Sequence, residues 1–166
     1  MKWLRRIELS DQPFQTREET SKYSDALGDG TVRQFSFVMD ARSLVTFPAY
    51  PVTLEPGWVE IRGLAWTGRG RITKVEVSTD AGKTWAPAEL QAPVLSKAHT
   101  RFRHLWNWDG KPTSILSRAH DETGYVQPTR AQLEAARGKP KSPFAYHYNP
   151  ITGWRIGGDG TVLLDV

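Results

Sequence analysis

The chain has 166 residues, a length that holds one domain with a sizeable core, or one domain with an extended arm, but not two full domains. Its hydrophobic content of 39%, with seven Trp, five Tyr and six Phe, is that of a folded protein, because disordered chains lack the apolar surface that offsets chain entropy. The formal charge of +4 is spread as Lys and Arg interleaved with Asp and Glu, which describes a solvated mixed surface rather than a nucleic-acid partner, and the absence of cysteine excludes disulfides, thiolate metal ligands and a cysteine nucleophile.

The chain opens with MKWLRRIELSDQPF, which has basic residues but no apolar stretch of the kind a secretory signal carries. No apolar run anywhere approaches the roughly 20 residues that cross a bilayer. Trp3, Leu4 and Ile7 look like packed residues from the first turn, so a fragment of a longer protein is expected. From Met1 to about Gly30 the pattern is irregular and polar, with Thr16 and Glu19 at capping-box spacing for a short helical turn. Arg33 to Asp40 and Ser43 to Phe47 read as short extended segments, followed by Pro48, Pro51 and Pro56. Residues 1–45 are therefore expected to be an arm and linker, and residues 46–166 a domain.

Strand signals then become frequent. Val59 and Ile61 face opposite to Glu60 and Arg62, and Gly63 is expected to mark a bulge before Leu64 and Trp66. The stretch Gly63 to Trp85 is central: Val75 and Val77 alternate with Lys74, Glu76 and Ser78, and Asp80-Ala81-Gly82 turns the chain into a hairpin closing onto Trp85. Phe102, His104, Trp106 and Trp108 place four large rings on one sheet face, Asp109-Gly110 makes a turn, and Ile115 to His120 alternates again. One helix interrupts the strands. Thr129 stands three before Gln132, Leu133 and Ala136 share a face, and Gly138 is the C-cap. A Pro-rich loop, Lys139 to Pro143, leads to Tyr146 and Tyr148, and Thr161 to Val166 is the closing strand. Turn signals roughly every 8 to 15 residues without long helices predict an all-β antiparallel sandwich with one short helix and an irregular N-terminal arm.

The motifs point to structure more than to chemistry. Ser78-Thr79-Asp80-Ala81-Gly82-Lys83-Thr84-Trp85 fits the Asp-box pattern S-x-D-x-G-x-T-W of sialidase propellers, but a propeller needs several copies and there is one, so it is read as a stabilised turn. Gly68-Arg69-Gly70-Arg71 lacks the helix start and Lys-Ser/Thr of a phosphate loop and is read as a tight loop between strands. His99, His104, His120 and His147 have no metal-ligand spacing, and no G-x-S-x-G elbow or acid/base pair stands out. Read from the residues alone, the chain is a Trp-rich β-sandwich without a self-sufficient catalytic constellation.

Taken in order, Lys2-Trp3-Leu4, Gly63-Leu64-Ala65-Trp66-Thr67-Gly68, Val75-Glu76-Val77-Ser78-Thr79-Asp80, Ser117-Arg118-Ala119 with Asp121, and Gly124-Tyr125-Val126-Gln127-Pro128 resemble the C-terminal part of the sulfite oxidase family of molybdenum enzymes, most nearly its sulfane dehydrogenase branch. The resemblance implies an immunoglobulin-like (E-set) sandwich that forms a homodimer and follows a molybdopterin-binding domain. It implies a complete enzyme that oxidises a sulfur compound, passes electrons to a c-type cytochrome and works in the periplasm. Residues 1–45 would be the remnant of the pterin domain and its linker. In the family an S-V-K-W segment binds the pterin, and Met1-Lys2-Trp3 matches its last three positions except for Met in place of Val, so Lys2 is the candidate cofactor-binding residue. A D-Y-K element carries a tyrosine that lines the oxyanion pocket, and Lys22-Tyr23 falls at its spacing, so Tyr23 is the candidate catalytic residue.

The departures are informative. The family's cysteine ligand to molybdenum, a soft thiolate suited to the metal, is absent from this chain. The arginine of the W-N-L-R-G segment of sulfite oxidases has no counterpart in Tyr148-Asn149-Pro150-Ile151-Thr152-Gly153-Trp154, which fits a substrate other than free sulfite. No cofactor is expected on this chain alone, which should be inactive, and no nucleic-acid or membrane partner is expected. The alternative is a free-standing sandwich with Trp66, Trp106, Trp108 and Trp154 as an exposed platform for a glycan or protein.

Overall fold

The computed structural model describes residues 2–27, 29–34, 36–138 and 148–165. The Pro-rich loop, Tyr146, His147, Met1 and Val166 lie outside them.

The capping box forms as its spacing predicts. The Glu19 backbone N–H donates to the Thr16 hydroxyl and the Thr16 N–H donates to the Glu19 carboxylate, opening helix α1 (Arg17–Lys22). Tyr23 caps its other end. Strands β1 (Ser24–Ala26) and β2 (Val32–Gln34) pair antiparallel about a turn in which Asp29 accepts from the Thr31 N–H and hydroxyl at 2.9 and 2.6 Å. The arm therefore carries a small helix and a hairpin of its own.

Two antiparallel sheets form the sandwich. The four-stranded sheet runs in the order β3 (Arg42–Phe47), β4 (Gly57–Trp66), β8 (Thr100–Trp108), β7 (Glu89–Gln91); the five-stranded sheet runs β11 (Val162–Asp165), β10 (Gly153–Ile156), β9 (Thr113–Asp121), β5 (Ile72–Ser78), β6 (Ala86–Pro87). Alternation dictates which side chains meet between them. Val59, Ile61 and Ala65 of β4, Phe102 and Trp108 of β8, Val75 and Val77 of β5, Ile115 and Ala119 of β9, Ile156 and Val162 form one buried core. The all-β sandwich expected from the sequence is the fold observed.

The stretch from Gly63 to Trp85 joins the two sheets. It leaves the four-stranded sheet at Trp66, turns through Gly68 to Arg71, and enters the five-stranded sheet at Ile72. The hairpin within it is β5–β6, pairing Val77 with Ala86 and Glu76 with Pro87 just past Trp85. Gly63 does not mark a bulge in its own strand: it pairs in regular register with Phe102, and the irregularity lies opposite, between Val45 and Phe47 of β3. The reason for glycine is close approach, since a Cβ at position 63 would stand 2.2 Å from the Phe102 ring and 2.4 Å from the Leu44 carbonyl oxygen.

Helix α2 (Arg130–Arg137) has the predicted box, with Thr129 and Gln132 exchanging hydrogen bonds and the Gly138 N–H closing on the Glu134 carbonyl. Of its side chains Leu133 is buried. Among the described residues no helix is long and apolar enough to cross a membrane.

Candidate functional site

The two residues singled out by resemblance lie in the arm. Lys2 is exposed, as is the adjoining Trp3, at 92%. Tyr23 is half-buried, its ring 5.4 Å from that of Phe37 and inclined at 59°, while its carbonyl accepts from the Ser36 N–H at 3.0 Å. Phe37, Val38 and Met39 are each about half exposed, at 45%, 50% and 47%.

The arm meets the sandwich at Asp40, whose side chain is 3% exposed. Arg69, from the loop between β4 and β5, donates Nε and Nη2 to Asp40 Oδ1 at 3.0 and 2.8 Å, and Arg137, from the last turn of α2, donates to Oδ2. Burial alone would raise the Asp40 carboxyl, but the hydrogen bonds and charges of Arg137 and Arg69 outweigh it and hold the group below the usual aspartate range. Beside this joint the Gly68 N–H donates to the Met39 carbonyl at 2.8 Å, and the Thr67 hydroxyl donates to Asp121 at 2.9 Å. A linker, an inter-sheet loop and a helix are thus fastened at one carboxylate.

A second joint is neutral. Gln127 is fully buried and its Oε1 accepts from the Ser43 N–H and hydroxyl, each at 2.8 Å, and from the Ala119 N–H at 3.2 Å; its Nε2 donates to the Pro150 carbonyl at 3.2 Å. Asn149 donates to the Ala41 carbonyl at 2.9 Å and to the Tyr125 hydroxyl at 3.1 Å. The segment Tyr148–Trp154, which contains no arginine, is therefore a packed seam, continued by the Trp154 indole donating to the Val45 carbonyl at 2.9 Å.

The outer face of the five-stranded sheet carries a third cluster. Glu76 Oε2 receives Arg118 Nε at 2.6 Å and stands 2.7 Å from His120 Nε2, while Lys74 reaches Oε1 at 2.9 Å. Burial opposes ionisation there, but the three donors hold Glu76 at about 2. Arg118 also lies 4.2 Å above the Trp85 ring, beside a cleft of about 600 Å³ lined by Trp85, Leu116, Arg118, Val126 and Thr129. The Asp-box performs the turn function read from its sequence. Asp80 accepts from the Thr84 hydroxyl at 2.6 Å, the Thr84 N–H at 2.9 Å and the Ser78 hydroxyl at 2.7 Å, which hold its carboxyl at about 2. His99 packs edge-on to Trp66 and His104 Nδ1 lies 3.3 Å from the Pro87 carbonyl, so each of these histidines has a packing or surface role.

Asp40, Arg69, Arg137, Gln127 and Asn149 carry no local signal in the sequence; only the fold brings them together. The tryptophans of the platform reading are otherwise engaged: Trp108 is 2% exposed, with its indole donating to the Lys111 carbonyl, Trp106 and Trp154 pack on the core, and Trp66 is half-buried. Nor does the donor set fit a pterin-bound molybdenum. The chain has no thiolate, the described residues include no group of three His, Asp or Glu placed to hold a metal ion, and Lys2 offers one exposed ammonium.

Comparison with known proteins agrees with this description. The family model of the Mo-co oxidoreductase dimerisation domain matches residues 33–152. The chain is 31% identical to the mitochondrial sulfite oxidase of Rattus norvegicus over 157 residues, covering 83% of this chain and 28% of that protein. It is 30% identical to the sulfite oxidase of Gallus gallus over 141 residues, covering 77% and 31% respectively. The crystal structure of the sulfane dehydrogenase SoxCD from Paracoccus pantotrophus superposes with a TM-score of 0.86 at 46% identity, over 94% of this chain and 40% of that one. The chain thus spans under a third of the length of these curated relatives.

Proposed function

The chain belongs to the Mo-co oxidoreductase dimerisation domain family of sulfite-oxidase-like molybdenum enzymes, and from that premise we propose that it is the dimer-forming region of an enzyme that oxidises a sulfur compound, sulfite or protein-bound sulfane sulfur. Two copies associate as a homodimer. The molybdenum cofactor sits on a pterin-binding domain outside this chain, whose own donor set does not fit the metal, and electrons pass to a c-type cytochrome subunit in the periplasm. Alone, the chain is inactive. Residues 1–45 are the end of the pterin domain and its linker and residues 46–166 the dimerisation domain, the boundary falling within β3. Lys2 contacts the pterin and Tyr23 lines the substrate pocket.

The observation that carries this reading is the 46% identity over 94% of the chain with a sulfane dehydrogenase. The exposed Phe37, Val38 and Met39 support the placement of the arm against a further domain. Molybdenum analysis with sulfite- and thiosulfate-dependent cytochrome c reduction tests it: the chain alone is expected to show neither metal nor turnover, and bound molybdenum with turnover would overturn the reading.

A further inference from the structure

The two outer sheet faces differ in what covers them. On β9, the central strand of the five-stranded sheet, the outward residues Leu116, Arg118 and His120 are half-buried, with Trp85 over Arg118 and Val126 bridged to His120. On β8 the outward residues Arg101, Arg103, Leu105 and Asn107 are all exposed, Leu105 at 61%. Next to them on β4, Trp58 is 70% exposed. The register pairs Trp58 with Asn107 and Glu60 with Leu105, so the indole and the leucine are diagonal neighbours on one face. An uncovered Trp and Leu in mid-sheet are not needed by the fold, whose core lies on the other side.

The charges beside them are unbalanced in a specific way. Arg62 and Arg103 stand directly opposite one another, a destabilising like-charge pair. Glu89 satisfies Arg103 through two hydrogen bonds of 3.1 and 2.8 Å. Arg62 lies 4.8 Å over the Phe47 ring and has among the described residues one long ion-pair approach, 3.8 Å to Glu60, and Arg101 has no ion-pair partner among them. A face that meets a copy of itself across a two-fold axis must carry its own complement. This one does: apolar anchors in Trp58 and Leu105, and both signs in Glu60 and Arg62.

We propose that the outer face of the four-stranded sheet, centred on Trp58 and Leu105, is the surface through which two copies of this chain associate, with Glu60 of each copy answering Arg62 of the other. This rests on the reading of the chain as a dimerisation domain and names the surface that reading requires. Trp and Arg are the residues that dominate interface energetics, and a buried anchor of this kind is worth about 2 kcal/mol or more, roughly 30-fold in affinity.

The test is sedimentation equilibrium of the whole chain, of the double variant Trp58→Arg/Leu105→Lys, and of Lys83→Glu in the exposed β5–β6 turn of the other sheet as control. The expected result is dimeric wild type and control, with association weakened about 30-fold or more in the double variant, whose dispersed amide spectrum shows it folded. A monomeric wild type would overturn the dimerisation reading itself. A dimeric wild type with an equally dimeric double variant would overturn this surface while leaving dimerisation standing. A second measurement does not depend on the double variant folding: because the chain has no cysteine, a single Asn107→Cys accepts one nitroxide label. Strong dipolar coupling between labels in the dimer is expected there and weak coupling at Lys83→Cys; the reverse pattern would place the interface elsewhere.

Discussion

Arg69 closes on Asp40 with two nitrogens, Nε at 3.0 Å and Nη2 at 2.8 Å, on a single carboxylate oxygen, leaving the other oxygen to Arg137. These three side chains come from the linker, the inter-sheet loop and α2, so their meeting ties the arm to the sandwich. Replacing the carboxylate by an amide removes the negative charge between two guanidinium groups and turns one acceptor into a donor, and losing one partner of a buried ion pair costs about 3 kcal/mol. Asp40→Asn is therefore expected to lower unfolding stability in urea by about that amount. The double variant Asp40→Asn/Arg137→Gln should lose less than the sum of the single changes. Strict additivity would show that the joint carries no coupling.

Acid should weaken the protein through Glu76. Its folded-state pKa of about 2 lies below the ordinary glutamate value of about 4.3, so the stability it contributes is present above the unfolded value and is lost as pH falls toward the folded one. Asp40, also held below its ordinary range, acts with the same sign. Unfolding midpoints measured from pH 6 down to about 2 should decline, and Glu76→Gln should make that decline shallower while lowering the midpoint at pH 6. An acid limb identical in the two proteins would contradict the assignment.

Position 63 should accept nothing larger than glycine. A methyl group there meets both the Phe102 ring and the Leu44 carbonyl, and overpacking of this kind costs about 1 to 3 kcal/mol. Gly63→Ala is expected at the upper end of that range because one of the two obstacles is backbone. Phe102→Leu in the same chain should recover part of the loss, which a double-mutant cycle by chemical denaturation would register.

Gln127 satisfies donors from β3 and β9 and reaches Pro150 in the seam before β10. Gln127→Leu keeps the volume but strands the Ser43 and Ala119 N–H groups, each unsatisfied buried donor costing about 1 to 3 kcal/mol. A loss of about 3 kcal/mol is expected, with amide exchange accelerated at Ser43 and Ala119. Gln127→Glu at neutral pH should be worse still, because it buries a charge without a counter-ion.

The elements legible in the sequence are those set by local pattern. The rings of Phe102 to Trp108 alternate as a strand does, and Thr129 to Gly138 brackets a helix by caps that act within four residues. Gly63 was legible as special but not for the right reason, since a bulge and a close approach leave the same mark in a sequence and only the Phe102 ring distinguishes them. The Asp40 joint was not legible at all. Its partners lie 29 and 97 residues away, and nothing in their neighbourhoods announces a pair. Lys2 and Tyr23 come from family likeness alone, and their roles are proposals about a larger enzyme.

The central claim is that this chain is built to pair with itself. Sedimentation equilibrium over a range of concentrations tests it most directly: the account predicts a species of twice the 18.7 kDa chain mass that dissociates on dilution to a single transition, whereas a mass of 18.7 kDa at every concentration would contradict it.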